Sequence, residues 1–159
     1  MGRLSDKIAV VIGGASGIGN AIATAFAEEG ARVCIADLAQ DRCDAAGAVI
    51  GGKAFGVAAN VADQASAGAL FERVVAEAGV PDVVVNCAGV FGMQALADVT
   101  EAEWDRVFAV NVKGVVFTIQ AAARHMVPAG KGGAIISIAP GAGRRGVPGG
   151  SAYAGSMAG

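Results

Sequence analysis

An open, parallel α/β sheet with helices on both faces, doubly wound, is the fold class this sequence predicts, and three observations carry it. Apolar runs rich in β-branched residues (Lys7 to Ile12, Arg32 to Ala36, Ala54 to Ala59, Asp82 to Asn86, Ala134 to Ala139) alternate with stretches of helical spacing. The runs are apolar throughout rather than alternating, which is what burial on both faces of a parallel sheet produces. The first run breaks at a glycine-rich turn, Gly13-Gly14-Ala15-Ser16-Gly17-Ile18-Gly19, that opens directly into a helix. At 159 residues the chain is the length of one domain.

The elements follow in order. After the turn, Ile18, Ile22 and Phe26 line one helix face, and Gly30 stops that helix. The second strand, Arg32 to Ala36, ends in Asp37. A short helix is expected over Gln40 to Val49, ended by Gly51-Gly52, and a third strand over Ala54 to Ala59, running into Asn60-Val61. Asp63 caps a helix of about four turns with Leu70, Val74 and Ala78 in line, Phe71 and Val75 beside them and Gly79 closing it. Pro81 precedes the fourth strand, Asp82 to Asn86, and a second turn of small residues follows at Cys87-Ala88-Gly89. Thr100-Glu101-Ala102-Glu103 reads as a capping box for the longest helix, expected to reach about His125. The fifth strand, Ala134 to Ala139, leads into a glycine-rich loop, Gly141 to Gly150, and Ser151 begins another helix.

Each part of the opening crossover has a physical job. Glycines allow a tight turn and let backbone approach a phosphate, and a helix N-terminus presents unpaired N–H groups and partial positive charge to it. Asp37, ~20 residues past the glycines, is placed to accept hydrogen bonds from a ribose diol. Taken singly, the glycines read as a turn and Asp37 as a helix cap. Combined in one ~30-residue strand–helix–strand unit, they predict dinucleotide binding. A carboxylate there repels a 2′-phosphate, so NAD is expected over NADP; the next arginine, Arg42, is five residues on.

Bulk properties exclude other classes. A net charge of −2 and a pI near 5.3 leave no basic footprint for nucleic acid or anionic membrane, and the pair Arg144-Arg145 is too small to change that. Cys34, Cys43 and Cys87 show no C-x-x-C spacing and read as free thiols in a reducing, cytoplasmic setting. The N-terminus does not read as a signal peptide, and no apolar run is seen to reach the ~18 residues a membrane span needs. His125, near a helix end, reads as a surface residue answering the helix dipole rather than a metal ligand, and no metal is expected. Trp104, at helical spacing with Val107 and Phe108, reads as core or subunit contact.

Four motifs carry a resemblance. Ile12-Gly13-Gly14-Ala15-Ser16-Gly17-Ile18-Gly19, Asn86-Cys87-Ala88-Gly89, Asn111-Val112-Lys113-Gly114 and Tyr153 stand in the order and spacing of the short-chain dehydrogenases/reductases, which the whole chain resembles. The stretch Gly132 to Gly146, with Ala142-Gly143-Arg144-Arg145-Gly146, is most similar to the sorbitol-type polyol dehydrogenase branch. The resemblance implies a single Rossmann domain over residues 1–159, NAD as cofactor, a secondary alcohol or polyol (or its ketone) as substrate, and a homo-oligomer. It implies Tyr153 as the proton-abstracting base and Asn111 as the relay residue. It implies cofactor contacts from Gly13, Ser16, Gly17, Ile18, Gly19, Asp37, Leu38, Asn60, Val61, Asn86, Ala88 and Gly89.

The same resemblance marks departures. The family's serine, thirteen residues before the tyrosine, is replaced by Pro140, and its lysine, four residues after, by Met157. Without a cation nearby, a phenol of ordinary acidity is about one part in a thousand ionised at pH 7. Proline has no hydroxyl and no N–H to offer a developing oxyanion. Ser137, Ser151 and Ser156 are not expected to substitute. Ile12 replaces a strand-bridging threonine, Asn60 an adenine-binding aspartate and Cys87 an asparagine. Members of the family continue with two further strands and a substrate-covering loop. The domain is therefore expected to be incomplete at its C-terminus, with strand five an open apolar edge prone to pairing or aggregation and oligomerisation in doubt. The functional expectation is an impaired NAD-dependent dehydrogenase; the alternative is a catalytically dead dinucleotide-binding protein or gene remnant.

Overall fold

The computed structural model describes residues 2–158. Five parallel strands stand in the order β3-β2-β1-β4-β5. They are β1 (Ile8–Ile12), β2 (Arg32–Asp37), β3 (Phe55–Ala58), β4 (Val83–Asn86) and β5 (Ala134–Ser137). The connecting helices are α1 (Gly17–Glu28), α2 (Gln40–Ile50), α3 (Gln64–Glu77), α4 (Glu101–Phe108), α5 (Gly114–Ala129) and α6 (Ser151–Ala158).

Pleating explains why the strand interiors are apolar at successive positions rather than alternate ones. In β1, Val10 and Ile12 face one side and pack with Leu70, Phe71 and Val74 of α3 and Ala121, Ala122 and Met126 of α5. Ala9 and Val11 face the other side, with Ala23 of α1, Ala46 of α2, and Val33 and Ile35 of β2. Both faces are covered, as the doubly wound class requires. β1 is the hinge of the topology: Ile8 pairs with Arg32 on one side and Ala9 with Val83 on the other. The chain reverses its direction of winding there, so the carboxyl ends of β1 and β4 splay their loops apart and leave a crevice between them.

Asp63 caps α3 as expected, its carboxylate accepting from the Ala65 and Ser66 N–H groups at 2.7 and 3.2 Å. The capping box at Thr100 is only half formed. Thr100 Oγ1 accepts from the Glu103 N–H at 3.2 Å, but the Glu103 carboxylate turns away to Arg106 at 2.8 Å rather than returning to Thr100. The guanidinium fork out-competes a single backbone N–H for the same carboxylate. The helix it opens runs past His125 to Ala129, and it is interrupted by one wide π-type turn, Ala109–Lys113. By length and mean hydropathy, Glu101–Ala129 also meets the measure of a membrane span, which corrects the expectation that no segment does. Asn111, Lys113 and Arg124 break any uninterrupted apolar run, yet the mean hydropathy of the segment stays high. In this fold Thr118, Ala121 and Ala122 of the segment are buried against the sheet and α3. Val107 is core, but Trp104 is surface, 41% exposed and stacked on Phe108 at 4.6 Å. His125 lies 3.5 Å from Glu72.

One ion cluster ties together the amino ends of β1 and β4, at the end of the sheet away from the crevice. The Asp82 carboxylate accepts from the Ile8 N–H at 2.9 Å and from Lys7 Nζ at 3.3 Å, with Lys131 Nζ at 3.7 Å. Burial pushes the Asp82 carboxyl upward, but the Ile8 N–H and the two ammonium groups outweigh it and hold the group below its ordinary range. A lowered folded-state pKa stabilises the native chain above the unfolded value and ceases to do so as pH falls through the folded value. Asp82→Asn is therefore expected to cost about 1–2 kcal/mol near neutrality. In urea unfolding followed against pH, the gap to the parent should hold above about pH 4 and close below it. A gap that persists unchanged at pH 2 would refute the assignment.

Candidate active site

The crevice is built first by the turn after β1. Gly13, at φ 77°, donates its N–H to Ala36 O at 2.8 Å, and Gly14 does the same at 3.1 Å, pinning the turn to β2. A Cβ on Gly13 would sit 2.7 Å from Ala88 N, so the two small-residue turns are packed backbone to backbone. A Cβ on Gly19 would be driven into the Gly13 carbonyl oxygen. Gly17, at φ 54°, is the opposite case: a Cβ there meets nothing within 4 Å, because the residue faces open crevice. α1 starts at Gly17, its N-cap Ser16 makes no side-chain capping bond, and its first turn holds no acid. Free N–H groups, a free hydroxyl and an unfilled cradle fit a pyrophosphate.

Asp37 stands against that turn. Its Oδ2 accepts from the Ala15 N–H at 3.2 Å and its Oδ1 from the Leu38 N–H at 2.8 Å. The carboxylate at the end of β2 is thereby fixed beside the glycine bend, which is the geometry the ribose reading needs. At the end of β3, the Asn60 amide oxygen accepts from the Ala62 N–H at 3.1 Å and holds its own turn.

The crevice encloses about 760 Å³ and brings together Gly13, Ser16, Gly17, Ile18, Gly19, Asp37, Leu38, Asn60, Val61, Ala88, Gly89 and Tyr153. Pro140 and Met157 line it as well. Two named residues do not line it. Asn86 is 4% exposed, its amide accepting from Thr118 Oγ1 at 2.7 Å and donating toward Ser137 Oγ at 3.4 Å. Asn111, in the wide turn of the long helix, donates to Val90 O at 3.0 Å and to Ser156 Oγ at 3.0 Å and accepts from the Val90 N–H at 2.8 Å. Both spend their amides holding the walls. The chain Val90–Asn111–Ser156 continues to the Tyr153 carbonyl, which accepts from Ser156 Oγ at 2.8 Å, so Asn111 joins the loop after β4 to the helix that carries Tyr153.

Tyr153 is 7% exposed, and its ring stacks on Phe91 with centroids 4.1 Å apart. None of Ser137, Ser151 and Ser156 lines the crevice; Ser151 Oγ is buried without a partner among the described residues. Phe91 and Arg42 are site residues that the sequence did not announce as such. An aromatic two residues beyond Gly89, past the Cys87-Ala88-Gly89 turn and Val90, was the available signal for Phe91. Cys87 lines the wall too, its thiol pushed up by burial. Among the described residues no cluster of His, Cys, Asp or Glu is arranged to hold a metal ion.

A sheet in the order β3-β2-β1-β4-β5, with its crevice outside the carboxyl ends of β1 and β4, defines a Rossmann-type domain. A profile of the short chain dehydrogenases matches residues 7–159, and the chain belongs to that family. It is 45% identical over 148 residues to a sorbitol dehydrogenase of Cereibacter sphaeroides and 42% identical over 144 residues to a galactitol 2-dehydrogenase of Agrobacterium fabrum; each match covers 91% of this chain and 56% of the relative. A short-chain type dehydrogenase/reductase from Mycobacterium marinum superposes with a TM-score of 0.93 at 36% identity, over 98% of this chain and 65% of that one. The chain thus spans just over half the length of the curated relatives it matches. Membership implies a dinucleotide cofactor, and the relatives include several polyol dehydrogenases with no single branch dominant.

Proposed function

We propose that this chain binds NAD(H) in the crevice and derives from a dehydrogenase acting on a polyol or other secondary alcohol, with the proton-transfer half of the reaction impaired. The observation that carries the reading is the meeting of the glycine cradle, Asp37 and Tyr153 in one crevice. The kinship with sorbitol and galactitol dehydrogenases supports the substrate class. Gly13 to Gly19 would hold the pyrophosphate through N–H groups, Asp37 the adenosine ribose, and the Asn60–Val61 wall the adenine. A bound nicotinamide supplies hydride transfer. Tyr153 is the group positioned to take the alcohol proton, and Asn111 holds its helix in place. Pro140 offers that alcohol oxygen no donor, and Met157, one helical turn from Tyr153, offers the phenolate no positive charge. A second reading, a dinucleotide-binding protein without chemistry, is favoured by these same two residues. A cytoplasmic setting and small-molecule partners, without nucleic acid or membrane, belong to the proposal.

Fluorescence titration tests the cofactor. NADH is expected to bind at least about tenfold more tightly than NADPH, because a 2′-phosphate would be set against the Asp37 carboxylate. Asp37→Ala should narrow that ratio. Equal affinities in the parent chain would remove Asp37 from the role. Polyol oxidation by the parent chain should be undetectable, and a robust rate abolished by Tyr153→Phe would overturn the impairment.

A further inference from the structure

At the outer edge of β3, the Gln40 side chain makes a pair of bonds with the geometry of main chain. Its Nε2 donates to Gly56 O at 3.1 Å and its Oε1 accepts from the Ala58 N–H at 2.8 Å. Donating to one residue and accepting from the residue two places on is what a single residue of a neighbouring parallel strand does. The second hydrogen on Nε2 goes to Asp44 Oδ1 at 2.7 Å, so the amide has one orientation that satisfies every partner. β3 is the outermost strand on this side, and its outward N–H and C=O would otherwise be bare.

The placement matters for the crevice. Gln40 is the first residue of α2, two positions beyond Leu38, and it grips β3 just before Asn60 and Val61. On the inner side the same strand end is held by the Ala59 N–H donating to Asp37 O at 2.7 Å. The strand end that becomes the adenine wall is thus clamped from both sides, by Asp37 backbone within and by the Gln40 amide without. Gln40 itself is outside the crevice and touches none of its open space.

We infer that Gln40 is a positioning residue for the adenine end of the crevice, its amide standing in for the next strand and fixing the Asn60–Val61 wall relative to Asp37 and Leu38. The inference rests on the dinucleotide reading above. It is tested on the full chain with Gln40→Ala, by hydrogen exchange at the Ala58 amide and by calorimetric affinity for AMP and for nicotinamide mononucleotide. The expected result is exchange at Ala58 accelerated about tenfold and AMP binding weakened about fivefold, with nicotinamide mononucleotide unchanged within about twofold. A merely structural role would weaken both halves of the dinucleotide together, and that outcome overturns the inference, as does AMP affinity unchanged with Ala58 deprotected. If the alanine variant does not fold, Gln40→Met serves: it keeps the length and helix propensity of the side chain, removes the donor for Gly56 and the acceptor for Ala58 without adding charge beside Asp44, and should show the same AMP-selective loss. A parent chain that binds no AMP removes the dinucleotide reading and the inference with it; intact parent binding with no AMP-selective loss removes the inference alone.

Discussion

Pro140→Ser and Met157→Lys introduced together are expected to raise NAD-dependent polyol oxidation by about a hundredfold or more over the parent chain. The size follows from what each side chain supplies. One donor aimed at a developing oxyanion contributes roughly 10²–10³ in rate, and a base of matched acidity roughly 10²–10⁴. Position 157 lies four residues after Tyr153 on α6, so a lysine there stands on the same helix face, one turn away, and its ammonium favours the phenolate. Position 140 lines the crevice at the start of the loop after β5, at φ −77°, a backbone conformation that serine adopts freely. Each single replacement should recover only part of the gain, because the donor and the base act on the same proton transfer. Tyr153→Phe added to the pair should return the rate to baseline. The assay is NADH formation at 340 nm with sorbitol and galactitol as substrates. No gain in a double variant that still binds NADH would show that the proton machinery is not what limits this chain.

Gly19→Ala is expected to be the most damaging single change in the cradle. The new Cβ is forced against the Gly13 carbonyl oxygen, and backbone on both sides leaves nothing flexible to yield. Overpacking of this kind costs about 1–3 kcal/mol, and here the displaced groups are the cradle itself, so NADH affinity should fall by more than about tenfold. Gly17→Ala makes the informative comparison. Its Cβ meets no protein atom, so the loss of stability should be limited to about 1–2 kcal/mol from the left-handed φ. The methyl nevertheless projects into the space where a phosphate would sit. Affinity for NADH should therefore fall more steeply in Gly17→Ala than its loss of stability accounts for. Urea midpoints measured beside fluorescence titrations separate the two, and NADH affinity unaffected by both variants would remove the cradle from the site.

The sequence disclosed most of the sheet because burial on both faces leaves an unambiguous apolar run, as in Ile8–Ile12 or Val83–Asn86. It disclosed the cradle because glycine spacing is itself the constraint. The residues it concealed answer to partners distant along the chain. Glu103 was legible as half of a capping box, but nothing local says that Arg106 will claim its carboxylate. Asn111 and Asn86 were legible as motif members; that their amides face the walls rather than the crevice depends on where Val90, Ser156 and Thr118 fall in space. Phe91 and Arg42 carry no periodic signal at all, because both stay exposed in the fold and line the crevice only through where their loop and helix are placed. Gln40 is the plainest example, an exposed helix residue whose work is visible only once β3 lies beside it.

The central position of β1 has a temporal meaning. Its pairing with β2 joins residues 8 and 32, close along the chain, whereas its pairing with β4 joins residues 9 and 83. As the polypeptide leaves the ribosome, β1, β2 and β3 are complete while the strand that must cover the other flank of β1 has not yet been made. The β4 side of β1 is then a bare edge of unpaired N–H and C=O groups through the synthesis of all of α3, and closing it is a long-range event with a large loop-closure cost. Nascent chains should be most vulnerable to misassembly in that window.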